Sequence, residues 1–294
     1  MATINSGQDY DLINTLTFAA ASGTCNIRLW RGGFSTHSGT VYYRAGTSGS
    51  WTSLSVSGTS TTFPVSNTTM QLALDWSKSG DDYTTPSFRD QTTNLTEIAI
   101  SQKAVLSGII GNSFMRDFAI NCSSLTYLDT PEIVDVTGVG YYFFYLFARG
   151  CTALTALSVP NTSEVTTVSF DFLSSFASNC SSLTNLSIPD TSSLSSVGSN
   201  FMKFFAADCT SLSEIILPAA GWFATNNVDW SVPSGRLDNL VGQTSNSTDQ
   251  SNWQALVTIG ETLHTNFIRS TGDVTLVLPP PSYNPAFAHR RLLL

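Results

Sequence analysis

Four cysteines, Cys122, Cys151, Cys180 and Cys209, follow one another at intervals of 29, 29 and 29 residues. A disulfide framework or a zinc site spaces its cysteines closely and unevenly, as in C-x2-C. Equal long spacing marks an internal repeat, and a period of roughly 20–50 residues means a stack or array of units. The neighbours keep the same period. Eight residues before each Cys stand Phe114, Phe143, Phe172 and Phe201; four before stand Phe118, Phe147, Phe176 and Phe205, each followed by an alanine (Ala119, Ala148, Ala177, Ala206). Three after come Leu125, Leu154, Leu183 and Leu212, six after Leu128, Leu157, Leu186 and Ile215, and nine after Pro131, Pro160, Pro189 and Pro218. One such unit cannot bury its own apolar face, so the units must stack.

Phe at i and i+4, with an apolar residue at i+1 and Ala at i+5, predicts one face of a short helix. Leu at Cys+3, an apolar residue at +6 and a mostly apolar one at +8 (Thr130, Val159, Ile188, Leu217) form the L-x-x-L-x-φ signature of a leucine-rich-repeat strand. Positions +6 and +8 are expected to point into the core and +5 and +7 outward. The proline at +9 ends the strand, since it cannot donate to a ladder. Val136, Val165, Leu194 and Phe223 at +14 return the chain to the core. Degenerate units flank these four: residues 94–100 repeat the strand pattern with Thr92 in the Cys column, and residues 274–279 repeat the strand-then-proline end. Between them an irregular stretch, residues 221–250, precedes a helix expected over 252–267, with Leu256, Ile259, Leu263 and Phe267 on one stripe.

The runs Cys151-Thr152-Ala153-Leu154-Thr155-Ala156-Leu157-Ser158-Val159-Pro160 and Asp190-Thr191-Ser192-Ser193-Leu194 resemble the BspA-type leucine-rich repeats of bacterial surface proteins and phage virion proteins. The resemblance covers about residues 87–280, with units longer than the family's usual ones. It implies an adhesin or recognition surface rather than an enzyme.

Residues 1–86 have a different grammar. Short β-rich runs at 16–20, 25–30, 40–44, 51–56, 61–65 and 70–76 alternate with Gly/Ser/Thr turns, which predicts a small antiparallel sandwich or barrel. The segment 40–52 is similar to modules that precede such repeats in phage and surface proteins. Sandwiches of this kind often bind sugars, and Trp30, Tyr42, Tyr43 and Trp51 could stack on one; equally, they fill a small β core. The fold class is therefore mixed: an N-terminal all-β sandwich-like module (1–86), an α/β leucine-rich-repeat solenoid of 29-residue repeats (87–280, with a capping region at 229–280) and a proline-led tail (281–294).

Composition narrows the function. The chain carries 13 Lys and Arg against 21 Asp and Glu, a formal charge of −8, and no basic run, which argues against nucleic acid. No apolar run approaches the ~20 residues that span a bilayer, and 11% aromatic content supplies ample surface to bury. Ser and Thr, 42 and 37 of them, take the place of charge. Residues 1–7 carry no basic n-region, and 16–22 are too short and polar for a signal-peptide core, which is expected of a protein made in a cytosol or trimmed of a leader. Of the seven N-x-S/T sequons, most are expected by chance at this Ser/Thr content, and they carry no weight.

Parallel strands about 4.8 Å apart would place the repeat cysteines in one column, where their Cβ vectors converge neither on an ion nor on disulfide geometry. They are expected to be small buried thiols, with Cys25 a lone core thiol. His37, His264 and His289 fall in no recognisable nucleophile elbow, Gly138-Val139-Gly140 lacks the third glycine of a dinucleotide loop, and Asp81-Asp82 reads as a solvated turn. No catalytic residue, cofactor or metal is expected; a glycan-active enzyme, the third reading, would need a carboxylate pair in a cleft.

What remains is the surface. The outward strand positions read Tyr127 and Asp129, Ala156 and Ser158, Asn185 and Ser187, Glu214 and Ile216, a strip that could accept a glycan, a protein edge or plain water. Within 141–145, Phe143 and Phe144 belong to the repeat, whereas Tyr141, Tyr142 and Tyr145 are extra, and exposed aromatics anchor interfaces. The tail stiffens at residues 279–281 and ends in Arg290-Arg291-Leu292-Leu293-Leu294, an expected docking strap. The expected function is a non-enzymatic virion subunit of a phage: tail fibre, receptor-binding or capsid-decoration protein. Its partners are other virion proteins, further copies of itself and a host-surface glycan or protein, without membrane insertion. The alternative is a secreted or wall-associated bacterial adhesin.

Overall fold

Leu12, Asn14, Leu16 and Phe18 are buried and alternate with half-buried Ile13, Thr15 and Thr17, the period of two that makes a strand with one face on a core. The computed structural model describes residues 10–32, 36–58, 60–75, 78–91, 94–102, 106–187, 189, 193–198, 200–202, 205–212, 214–216, 266–269 and 272–277. The amino-terminal strands are β1 (Leu12–Phe18), β2 (Thr24–Trp30), β3 (Thr36–His37), β4 (Gly39–Ala45), β5 (Thr52–Val56), β6 (Thr61–Pro64), β7 (Thr69–Leu74), β8 (Lys78–Ser79), β9 (Asp82–Tyr83), β10 (Thr85–Ser87) and β11 (Leu95–Gln102). All six expected runs are strands; the first begins at Leu12 and ends at Phe18. One sheet runs β11-β1-β7-β4-β5, all antiparallel; facing it, β2 pairs with β10, β3 and β6. Leu12, Leu16, Cys25, Ile27, Leu29, Val41 and Leu72 fill the space between them at no more than 1% exposure. The module is sandwich-like, with no closed barrel among the described residues.

The repeats add β12 (Gly108–Ile110), β13 (Tyr127–Leu128), β14 (Val136–Val139), β15 (Ala156–Leu157), β16 (Thr167–Val168), β17 (Asn185–Ser187), β18 (Ser196–Val197), β19 (Glu214–Ile216), β20 (Asn266–Arg269) and β21 (Gly272–Val277). Among the described residues, the units of Cys122, Cys151 and Cys180 each contribute two strands. The expected one lies at +5 to +7, where Ala156 pairs with Asn185 and Asn185 with Glu214; a second, unforeseen, starts near +14, where Gly138 pairs with Thr167 and Thr167 with Ser196. These four pairs are parallel and offset by 29 residues, one repeat, so each of these units makes one coil and the coils stack; β19 pairs parallel with β21, and β21 antiparallel with β20. Leu128, Leu157 and Leu186 are buried as expected at +6, and Val136, Val165 and Leu194 at +14. Ser187, expected outward, is buried because its hydroxyl oxygen accepts the Val159 N–H at 3.1 Å.

The α component is corrected: the described residues contain no helix. Residues 113–121 and their counterparts form a ribbon in which left-handed residues recur at alternate positions: Ser113, Met115 and Asp117, then Tyr142, Phe144 and Leu146, then Asp171, Leu173 and Ser175. Its N–H groups donate across to the next coil: Asp117 to Tyr145 O, Ala119 to Phe147 O, Ala148 to Phe176 O and Ala177 to Phe205 O, at 2.7–2.9 Å. The reason is spacing. A helix with its side chains is about 10 Å across, whereas Phe147 lies 5.1 Å from Phe118 and 5.2 Å from Phe176, ring over ring within 7°. On this side the coils stand only about 5 Å apart, which leaves no room for a helix in each. A nine-residue segment is also too short to hold one alone. Left-handed backbone at a non-glycine residue costs about 1–2 kcal/mol, offset here by the inter-coil bonds and two phenylalanine stacks, 114-143-172-201 and 118-147-176-205.

Hydroxyls complete the ladders. Thr137 Oγ1 donates to Gly108 O, Thr166 Oγ1 to Thr137 O and Ser195 Oγ to Thr166 O, each one coil back; Thr152, Thr184 and Thr210 do the same in other columns. This gives the Ser/Thr-rich composition a structural use.

The sandwich and the coils are continuous. Strand β11 pairs antiparallel with β1 and parallel with β13, and the bond between residues 86 and 87 lies inside β10, which pairs with β2 while Phe88 N–H donates to Phe118 O. One apolar core runs from Leu12 to Leu212. Of the helix expected over 252–267, Asn266 and Phe267 lie in β20; its remainder, the stretch 221–250 and the tail lie outside the described residues.

Candidate recognition site

All five cysteines are buried free thiols, and among the described residues no cluster of His, Cys, Asp and Glu could hold a metal. Each repeat thiol donates to a carbonyl of the preceding coil: Cys122 to Phe88 O, Cys151 to Ala119 O, Cys180 to Ala148 O and Cys209 to Ala177 O, at 3.0–3.2 Å. Burial pushes the Cys25 thiol well up, with Cys122 adding to it, and its sulfur donates to Asn26 O in its own strand rather than to another coil.

The sites suggested by the sequence separate into four places. Tyr127 Oη donates to Asp129 Oδ1 at 3.0 Å, and Asp129 Oδ2 accepts the Ile100 N–H, so this pair stitches β13 to β11; burial and Asp129 raise the phenol. Asn185 and Glu214 are register partners on β17 and β19. Trp51 packs edge-on to Tyr10 and lies under the Arg44 guanidinium at 4.3 Å, which is itself held twice by Gln71 Oε1. Arg290, Arg291 and Leu294 lie outside the described residues.

The fourth place brings two suggestions together. Trp30, at the end of β2, and the Tyr142–Tyr145 pair, in a repeat ribbon, meet on a residue the sequence reading passed over, Arg116. Its guanidinium carbon lies 4.4 Å from the Trp30 ring centroid, 4.5 Å from Tyr142 and 5.5 Å from Tyr145. Arg116 and Tyr145 occupy equivalent positions one coil apart, in a column between buried ones, and that polar column was the available signal. Tyr141 stacks on Phe170, centroids 4.6 Å apart and planes within 5°, and lies edge-on to Tyr142. Tyr141, Tyr142, Tyr145, Phe170 and Asp171 are all partly exposed, whereas Trp30 is 5% exposed.

Charge gathers beneath the rings. Asp117 is buried, with Oδ2 3.6 Å from Arg89 and Oδ1 3.9 Å from Arg116 Nε. Burial raises its carboxyl against the opposing pull of Arg116, Arg89 and Arg28. Asp90 is held below the usual carboxylate range, burial being outweighed by hydrogen bonds from Asn121 and Arg89. Burial and Asp171 raise the Tyr142 and Tyr145 phenols. The arrangement offers aromatic faces for stacking and fixed donors for polar contact, held across the junction of the sandwich and the coils.

No protein-family model, curated protein or solved structure matches this chain.

Proposed function

We propose that this chain is a non-enzymatic recognition protein, set in a phage particle as a tail-fibre, receptor-binding or capsid-decoration subunit, with the coil stack resembling BspA-type leucine-rich repeats. The observation that carries the recognition reading is the convergence of Trp30, Tyr142 and Tyr145 on Arg116 at a partly exposed junction. Rigid aromatic and arginine side chains are the residues on which binding energy concentrates. The stacked coils and the sandwich hold these groups in place. A bacterial adhesin would use the same face.

The test is binding of the immobilised full chain to intact bacterial cells and to purified surface polysaccharide, read by interferometry. Saturable binding that falls at least tenfold in a Tyr142→Ala, Tyr145→Ala variant with an unchanged circular dichroism spectrum is expected. Absence of binding to every surface, or binding indifferent to these tyrosines, contradicts the reading.

A further inference from the structure

At this junction hydrogen-bond donors outnumber acceptors. Among the described residues of the junction, Arg116 Nε and Nη1, Trp30 Nε1 and Arg28 Nε are buried without a hydrogen-bonding partner, against a single acceptor there in the same state, Asp117 Oδ1. Three of the ten arginines of an acidic chain, Arg28, Arg89 and Arg116, act on that one carboxyl. Asp117 therefore does not consume the donors around it, and leaving such groups unpaired is costly. A planar group rich in lone pairs would take them up. Arg116 is suited to one: its guanidinium carbon lies 4.4 Å from the Trp30 ring and 4.5 Å from the Tyr142 ring, and its N–H groups form a planar fork of the kind that matches a carboxylate. The neighbouring surface is made of tyrosines, whose rings stack on apolar C–H faces while their hydroxyls bond to polar groups. A carboxylate on a ring that has both C–H faces and hydroxyls combines these two requirements.

We propose that the junction of Trp30, Arg116, Tyr142 and Tyr145 binds an acidic saccharide, its carboxylate taken by Arg116, whose side chain is 16% exposed, and its ring set against the partly exposed tyrosines. The proposal rests on the recognition reading above and narrows it to one ligand class. A polyanion such as nucleic acid fits poorly, because the net charge of −8 repels it beyond this local patch.

The test is titration calorimetry of the full chain with N-acetylneuraminic acid, glucuronic acid, glucose and acetate. Binding of an acidic sugar at least tenfold tighter than glucose or acetate is expected, with a loss of tenfold or more in Arg116→Lys, which keeps the charge and removes the planar fork. Acetate binding as tightly as the acidic sugars overturns the saccharide class. Equal binding of acidic and neutral sugars overturns the acid preference while leaving recognition standing. No binding of any probe overturns the proposal, and the cell and polysaccharide measurement then decides separately whether recognition itself fails. Because the comparison of probes is made on the unsubstituted chain, a misfolded Arg116 variant does not remove the test.

Discussion

The thiol of Cys151 donates to the carbonyl oxygen of Ala119, one coil back, across 3.0 Å. The same carbonyl accepts the Cys122 N–H of its own coil, so the sulfur supplies a second donor to an acceptor buried in apolar surroundings. Cysteine suits this column because it is small, apolar in bulk and still a donor. Cys151→Ala should lower stability by about 1–2 kcal/mol through the lost contact and the space left behind. Cys151→Val has no donor and added bulk, and should cost more, about 1–3 kcal/mol from overpacking alone. Urea midpoints that leave all three proteins equal would refute this role.

Alkaline pH tests the burial of the column. Burial pushes the Cys122 thiol up from 9.0 to about 12, and Cys25 and Cys151 are raised as well. A folded value above the unfolded one gives stability that is fully present below pH 9.0 and lost as the unfolded thiols ionise above it. Each thiol should remove up to about 1.4 kcal/mol per pH unit between these limits. Urea midpoints should therefore decline from pH 9 towards 11, and the native protein at pH 8 should leave a thiol reagent unreacted until it unfolds. Prompt reaction of the folded chain would contradict the structure.

Left-handed backbone immediately before each of the four repeat cysteines makes a third test. Asn121, Gly150, Asn179 and Asp208 have φ of 59°, 76°, 60° and 59°. At Gly150 an added Cβ would also stand 2.6 Å from Asn121 Oδ1. Gly150→Ala should cost at least ~1–2 kcal/mol, Asn179→Ala about 1 kcal/mol, and Asn179→Gly close to nothing. Equal thermal midpoints for Gly150→Ala and the parent would contradict the ribbon.

That column also shows what the sequence held and what was read from it. Asn, Gly, Asn and Asp are the residues that tolerate positive φ, and their recurrence before Cys was visible evidence for a left-handed turn. The phenylalanines misled because i and i+4 lie on one side both of a helix and of a ribbon with a period of two. What decides between them is the distance from one coil to the next, which no single unit displays. The strand at +5 to +7 was legible because Leu and Pro bracket it. The strand near +14 was not, because its apolar residues, Val136 and Val139, Val165 and Val168, Leu194 and Val197, stand three apart and break the alternation that marks a strand. The candidate site was half legible. The three tyrosines stood out as aromatics beyond the needs of the repeat and Trp30 as an aromatic of the amino-terminal module, but Arg116, Arg89 and Asp117 gain their meaning only from contacts between coils and across the junction.

Phe147 sits in the middle of its stack, between Phe118 and Phe176. Phe147→Ala should cost about 3–5 kcal/mol, and Phe147→Leu less, since it keeps most of the volume and loses the ring contacts. A calorimetric melt in which the leucine variant falls as far as the alanine variant would show that stacking geometry, not filled volume, dominates there.

The central structural claim is that residues 141–149 form a rung bonded to neighbouring coils rather than a helix. Nuclear Overhauser contacts from the Ala148 and Leu146 amide protons of the full-length chain test it most directly. Both N–H groups donate to the next coil, to Phe176 O at 2.8 Å and Ser174 O at 3.0 Å. The account expects contacts from 146 and 148 to residues near 174–177, with ring contacts between Phe147 and Phe176. A continuous i to i+3 helical pattern through 141–149, with no contacts to 174–177, would contradict it.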